Sequence, residues 1–574
     1  MIGPRQGSNN APRKRYTHPA SGPHVACPVG GAGGTMGDST STSDTEFSMP
    51  LNQRLSGVLL HPTSLPGPFG IGDIGPAAHN FLEWAASSGL AYWQVLPLGP
   101  TSYGDSPYQC FSANAGNPMM ISPELLVREG LLTEKEILPP AFPADRVDHG
   151  WVITWKWPLL RLAQERFAKG KFAGLAARYE AFQKNEDVAH WLDDYAMFMT
   201  LKDAHDGKSW DNWETDLRDY KPAALKEAKK KYADRFESYR FAQFLFSDQW
   251  AGVRRKALSL GIEIIGDVPI YVAYDSADTW ANQKFFHLDK KTALPTEVAG
   301  VPPDYFSKTG QLWGNPLYKW DVMAKDGYEW WTKRMRTVLS TVNIVRLDHF
   351  RGFMGYWSVP FGQPTAEKGK WKKGAGAAFF QAMKKNLGGD LPIIAEDLGD
   401  ITSDVHKVRE DFGFPGMKIL QFAWGVAALD PLIPDPNSGF LPHQIDANQI
   451  VYTGSHDNDT TMGWWTAASE KERHCLRSYL CVDGKLPHWD LIRAAMRSSA
   501  NTAIIPMQDF LGLGTEARMN FPGTSGTHNW SWRMNPRALE GELARHIRVY
   551  TFLYDRGKDL PEKAVRKPAA KPKY

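Results

Sequence analysis

The stretch "NIVRLDHFRG", Asn343 to Gly352, decides the fold. Its first six residues alternate as a strand does, and the apolar part gives out at Asp348. Arg346 and Asp348 stand two residues apart and so share one strand face. A single Asp at the end of a buried strand is ordinarily a cap or turn residue. The question is whether other strands of the chain end the same way.

They do. Seven further runs are apolar or alternating and bounded by Gly or Pro: "GVLLHP" (57–62), "YWQVLPLGP" (92–100), "IEIIGDVPIYV" (262–272), "PIIAEDLG" (392–399), "MKILQFAW" (417–424), "QIVYTGSHDND" (449–459) and "AIIPMQDFLG" (503–512). Amphipathic segments such as "AAHNFLEWAASSG" (77–89) and "HKVREDFGF" (406–414) separate them. Eight strands alternating with helices predict an α/β chain, a (β/α)8 TIM barrel. A Rossmann-like sheet plus a helical domain is the rival, but no GxGxxG opens a helix after any strand. The spacing predicts a barrel over 52–555, with long loop insertions and a helical insertion over 122–250.

The flanks differ in composition. Residues 1–48 are rich in Gly, Ser, Thr, Pro and Asn, which predicts a flexible, disordered leader. It lacks an apolar secretory core; its early Arg and Lys fit a transit peptide, and Met49 fits an over-called start. Residues 556–574 form a second flexible tail, basic and Pro-containing.

The 574 residues carry 66 Lys and Arg against 63 Asp and Glu, a net charge of +3. That balance gives no reason to expect nucleic acid or an anionic membrane as partner. No apolar run approaches the roughly 20 residues of a membrane span. Cys27, Cys110, Cys475 and Cys481 are scattered, with no CxxC, so neither a zinc knuckle nor a disulfide scaffold is indicated. Twenty-two Trp and 20 Tyr fit either a large core or flat faces for a ligand with apolar C–H surfaces, such as a sugar.

Reactive groups recur at the strand ends: Asp267, Asp348, Glu396 and Asp397, then His456, Asp457 and Asp459, and Asp509. Barrel active sites lie at that rim. Retaining glycoside chemistry needs two carboxyl groups about 5–5.5 Å apart. Strands four and five can supply them. Arg346 beside Asp348 favours an ionised nucleophile, and the apolar "PIIA" before Glu396 favours a raised, proton-bearing acid. The acidic "HDND" (456–459) admits a metal reading, but EF-hand spacing and HExxH are both missing, so no metal is expected. His456 reads as a donor to hydroxyls or as an ordinary buried histidine, and Asp457 as an acceptor for sugar hydroxyls.

Long motifs now join these residues. "LHPTSLPGPFGIGD" (60–73), "YWQVLPLGPTSYGDSPYQCFSANAGNP" (92–118), "IGDVPIYVAYDSADTW" (265–280), "AGVPPDYFSKTGQLWGNPLY" (299–318), "VRLDHFRGF" (345–353), "IIAEDLG" (393–399), "TGSHDNDT" (453–460) and "RMNFPGTSGTHNWSWR" (518–533) occur in one order. With them the chain resembles the 4-α-glucanotransferases, the amylomaltases of bacteria and the disproportionating enzymes of plastids. The resemblance implies Asp348 as nucleophile, Glu396 as acid/base and Asp457 as the carboxylate holding a distorted sugar. It implies substrate contacts by Tyr108, Asp267, Arg346 and His456, and by Asp304, Tyr305, Phe306, Trp313 and Asn315 of a loop over the cleft. It implies no cofactor. Cys110 and Phe521 depart from the expected pattern, where Ser-like and Thr residues are usual.

The expected activity is transfer of an α-1,4-glucan segment to the 4-hydroxyl of another glucan, with configuration retained. Its partners would be α-1,4-glucans, maltooligosaccharides and glucose as acceptor. An α-amylase-like hydrolase and a non-catalytic glucan-binding protein are the alternatives. The long aromatic loop favours transfer over attack by water, and the intact carboxylates speak against a retired site. Location is expected to be cytoplasmic, or plastid if 1–48 is a transit peptide. Oligomeric state carries no assignment.

Overall fold

The computed structural model describes residues 50–303, 307–427, 430 and 432–558. The leader over 1–48 and most of the basic tail lie outside the described residues.

Eight parallel strands form one sheet: β1 Leu55–Leu59, β2 Tyr92–Gln94, β3 Glu263–Pro269, β4 Ile344–Asp348, β5 Ile393–Ala395, β6 Gly416–Ile419, β7 Gln449–Tyr452 and β8 Thr502–Pro506. Their spatial order is β6-β7-β8-β1-β2-β3-β4-β5. Ala395 N–H donates to Pro415 O at 2.9 Å, linking β5 to the start of β6. The sheet is therefore a nearly closed (β/α)8 barrel. Each strand overlaps one of the eight runs read from the sequence, three of them starting one or two residues earlier, and several runs overreach at their ends. Residues 420–424 turn into a 3₁₀ helix and Met507–Phe510 into a short α-helix. Past the ladder the apolar residues pack in local turns at the rim.

The register sets the chemistry. Asp267 of β3 pairs with Arg346 of β4, and Leu347 of β4 pairs with Ala395 of β5. Asp348 and Glu396 follow those last two by one residue each, on strands about 4.8 Å apart.

Between β2 and β3 lie the helices His149–Lys169, Ala173–Lys184, Leu192–Ala204 and Ala233–Ser259. The last runs 27 residues. Its early residues Phe236 and Tyr239 join a separate aromatic core with Trp191, Tyr195, Trp210 and Trp280. Its later residues Trp250, Val253 and Ala257 join the barrel core. One helix thus serves both the insertion and the crossover into β3, and residue 250 falls inside it. Trp93, Trp210, Trp250, Trp280, Trp331 and Trp424 are fully buried, so much of the aromatic content builds core. An antiparallel sheet, unforeseen from the sequence, joins Gln311–Pro316, Glu297–Val301, Gly355–Pro360 and Lys370–Lys373 in that order. It ties the segment after β3 to the segment after β4 and carries Trp313 and Asn315.

One boundary needs correcting. Arg556, assigned by composition to the solvated tail, is fully buried. Its guanidinium donates to the backbone carbonyls of Met496, Leu55, Asn501, Ser498 and Ala500. Arg54 donates to the carbonyls of Met496 and Ser498 beside it. The pair satisfies carbonyls near the starts of β1 and β8. Arg556→Ala strands several buried acceptors and should cost about 3 kcal/mol. A melting temperature several degrees lower by calorimetry is expected; an unchanged one would contradict this role.

Candidate active site

The polar residues of β3 and β4 meet around Arg346. Its Nη1 lies 2.9 and 2.8 Å from the two Asp267 oxygens and 2.9 Å from Asp348 Oδ1. Its Nε donates to Met417 Sδ of β6 at 3.3 Å. Burial pulls the guanidinium down, but the facing carboxylates of Asp267 and Asp348 more than offset this and keep it charged. The Asp267 side chain is 0% exposed, and Tyr108 O–H donates to its Oδ2 at 2.9 Å. Burial pushes Asp267 up to about 7 against the pull of Arg346. Every Asp267 oxygen is thus engaged inside the protein. The residue holds Arg346 and Tyr108, and its side chain is closed to solvent. Asp348 is different: its side chain is 27% exposed, open to the cleft.

Glu396 stands next to Asp348. Its Oε1 accepts from Leu398 N–H at 2.9 Å and its Oε2 from His349 N–H at 2.8 Å. Burial raises its carboxyl to about 7; Arg346 opposes the rise and the charge of Asp348 adds to it. A carboxyl with that value holds or releases a proton near neutral pH.

The segment after β7 brings His456 and Asp457 to the same rim. Asp509 of the β8 end, fully buried, anchors that segment by accepting from Thr453 Oγ1, Thr461 N–H and Thr461 Oγ1 at 2.5, 2.7 and 2.8 Å. His456 is buried and stacked on Tyr108, with ring centres 5.1 Å apart. Burial pulls its imidazole below the ordinary value, so the ring is neutral and one nitrogen can donate. Its Nε2 lies 3.4 Å from Asp457 Oδ2. Asn520 Nδ2 donates to Asp457 Oδ1 at 2.6 Å, and Arg518 Nη2 to the Asp457 carbonyl at 2.7 Å. The Asp457 side chain remains 46% exposed.

Seven of the residues singled out from the sequence therefore cluster: Tyr108, Asp267, Arg346, Asp348, Glu396, His456 and Asp457. Trp313 faces the same rim, its ring edge-on to His349 at 4.8 Å. Asn315 is buried; it donates to Val272 O and accepts from Gln109 Nε2, so it braces the loop. Asp304, Tyr305 and Phe306 lie outside the described residues. The sequence reading missed Asn520, Arg518 and Trp530, although the "RMNFPGTSGTHNWSWR" motif contains all three. Trp530 tilts against Tyr108 with ring centres 5.7 Å apart. The departure at Phe521 has a use here, since the Arg518 guanidinium lies 4.5 Å over its ring. The departure at Cys110 is inert: its thiol donates to Pro107 O, and burial pushes it up. Among the described residues no group of three or more His, Cys, Asp or Glu is arranged to hold a metal.

The comparisons with known proteins agree with this geometry. The family described as 4-alpha-glucanotransferase matches residues 60–539. A 4-alpha-glucanotransferase of Thermus thermophilus is 46% identical over 505 residues, covering 86% of this chain and 98% of that protein. A chloroplastic/amyloplastic 4-alpha-glucanotransferase of Solanum tuberosum is 44% identical over 490 residues, covering 84% and 83%. The amylomaltase of Streptococcus agalactiae, solved with acarbose, superposes with a TM-score of 0.84 at 35% identity, covering 88% of this chain and all of that one. A family match over residues 60–539, with a relative 46% identical over 505 residues, leaves one assignment: the chain belongs to the 4-alpha-glucanotransferase family.

Proposed function

We propose that Asp348 is the nucleophile, Glu396 the acid/base and Asp457 the carboxylate that holds the reacting sugar. The enzyme is a retaining 4-alpha-glucanotransferase. The observation that carries the residue roles is the in-register placement of Asp348 and Glu396 on neighbouring strands, with Arg346 paired to the first and burial raising the carboxyl of the second.

In the first step an Asp348 oxygen attacks the anomeric carbon. The bond from that carbon to the leaving O4 breaks, and O4 takes the Glu396 proton. Asp348 is then an ester and carries no charge. The push it exerted on Glu396 is gone, so the Glu396 carboxyl falls and, once it has given up its proton, stays ionised and available as the base. In the second step Glu396 takes the proton of an incoming 4-hydroxyl. That oxygen bonds to the anomeric carbon and the ester breaks. Two inversions return the α configuration.

Donors in this reading are α-1,4-glucans and maltooligosaccharides, with glucose among the acceptors. The partly exposed rim aromatics Trp313 and Tyr108 offer apolar ring surface to sugar rings. We place the protein in the cytoplasm. N-terminal sequencing of the native protein tests this, because cleavage within residues 1–48 would indicate a plastid.

Incubation with maltotriose separates the readings. Glucose plus a ladder of longer maltooligosaccharides is expected. Glucose and maltose with nothing longer would make the enzyme a hydrolase. The pH dependence follows from Glu396. The first step needs its proton, so kcat/KM for maltotriose should fall as pH rises through about 7. A profile flat to pH 9 would contradict Glu396 as the acid.

A further inference from the structure

His349 follows Asp348 directly, and its backbone leaves the strand. It has φ 52° and ψ 49°, the left-handed region that few residues other than glycine occupy, His being among those that do. The hydrogen bonds show what this turn does. Val345 N–H donates to Pro392 O at 2.8 Å, as a parallel ladder requires. Two residues per step would send His349 N–H to the carbonyl of Glu396. Instead Phe350 N–H takes that carbonyl at 3.2 Å. The His349 N–H is thereby released from the ladder and reaches the Glu396 side-chain carboxyl at 2.8 Å.

We propose that His349 is a positioning residue, whose left-handed backbone aims its N–H at Oε2 of Glu396 and so fixes the acid/base. The proposal rests on the reading of Glu396 as that acid/base. The strained geometry is held from both sides. Gly352 N–H donates to His349 O at 2.9 Å, and a Cβ at 352 would come within 2.9 Å of the His349 ring. The ring itself meets Trp313 edge-on. Burial lowers the imidazole to about 4, so it is neutral and makes no charged contact with Asp348. Strain at a residue beside the chemistry is retained where it serves positioning. A carboxylate that accepts a backbone N–H is favoured in its charged form, so this bond also restrains the rise of Glu396.

Four substitutions distinguish a backbone role from ring packing. Gly and Asn enter the left-handed region readily, Val does not, and Phe keeps a ring. His349→Gly and His349→Asn should keep kcat for maltotriose disproportionation within about threefold of the parent. His349→Val should relax toward extended backbone and lose about tenfold or more. In the Val variant the alkaline limb of the pH profile should move to higher pH, because the lost donor favours the neutral carboxyl. Melting curves of each variant separate misfolding from mispositioning, and the Gly and Asn variants remain informative if Val fails to fold. The opposite order, with Phe best and Gly worst, or an alkaline limb unmoved in every variant, would overturn the proposal. Full activity of Glu396→Gln would instead remove the underlying reading of Glu396, so the two failures are told apart.

Discussion

Replacing Asp348 by Asn should lower maltotriose disproportionation by about 10⁴-fold or more while the barrel stays folded. The amide has the same shape and cannot form the ester on which both steps depend. Arg346 would lose one carboxylate and keep both oxygens of Asp267, so the buried guanidinium stays paired and the fold is spared. A second consequence separates this loss from general damage. Asp348 helps push Glu396 upward, so the Glu396 carboxyl should titrate at lower pH in the Asn variant. Initial rates with an unshifted melting curve check the first part, and a pH titration of the Glu396 carboxyl signal checks the second. Retention of a tenth of the parent rate would sink the nucleophile assignment.

Glu396→Gln should cost about 10²–10⁴-fold with maltotriose, the usual range for a lost general acid. The loss should depend on the leaving group. A maltosyl donor whose leaving group needs no proton, such as a maltosyl fluoride, bypasses the acid in the first step. Release of that leaving group should therefore recover in the Gln variant, as a burst of one equivalent. Transfer to an acceptor should stay slow, because the second step still lacks a base. Equal impairment with both donors would show that Glu396 does something other than move the proton.

The barrel was legible because each strand is a short apolar run, five of the eight leading into an acidic residue, and that repetition is local in sequence. Asp348 and Glu396 were legible for the same reason. What sequence could not show is where side chains spend their hydrogen bonds. Asp267 sits at a strand end like Asp348, yet its partners Arg346 and Tyr108 come from distant positions and enclose it. Asn315 stands in a motif with Trp313, yet it faces inward to Val272. The left-handed backbone of His349 leaves no mark on composition or periodicity. Arg556 looks like any basic tail residue until the carbonyls of Met496 and Leu55 are brought to it from the other end of the chain. The antiparallel sheet was missed because its strands are drawn from two separate insertions, which no single window contains.

The central claim is a covalent glycosyl bond to Asp348. Its most direct test uses Glu396→Gln mixed with the maltosyl fluoride, then quenched in acid, digested and measured by mass spectrometry. The peptide holding Asp348 should be heavier by one maltosyl group, with fragmentation placing the sugar on that residue. An adduct on another residue such as Asp457, or no adduct while the fluoride is still consumed, would contradict the mechanism.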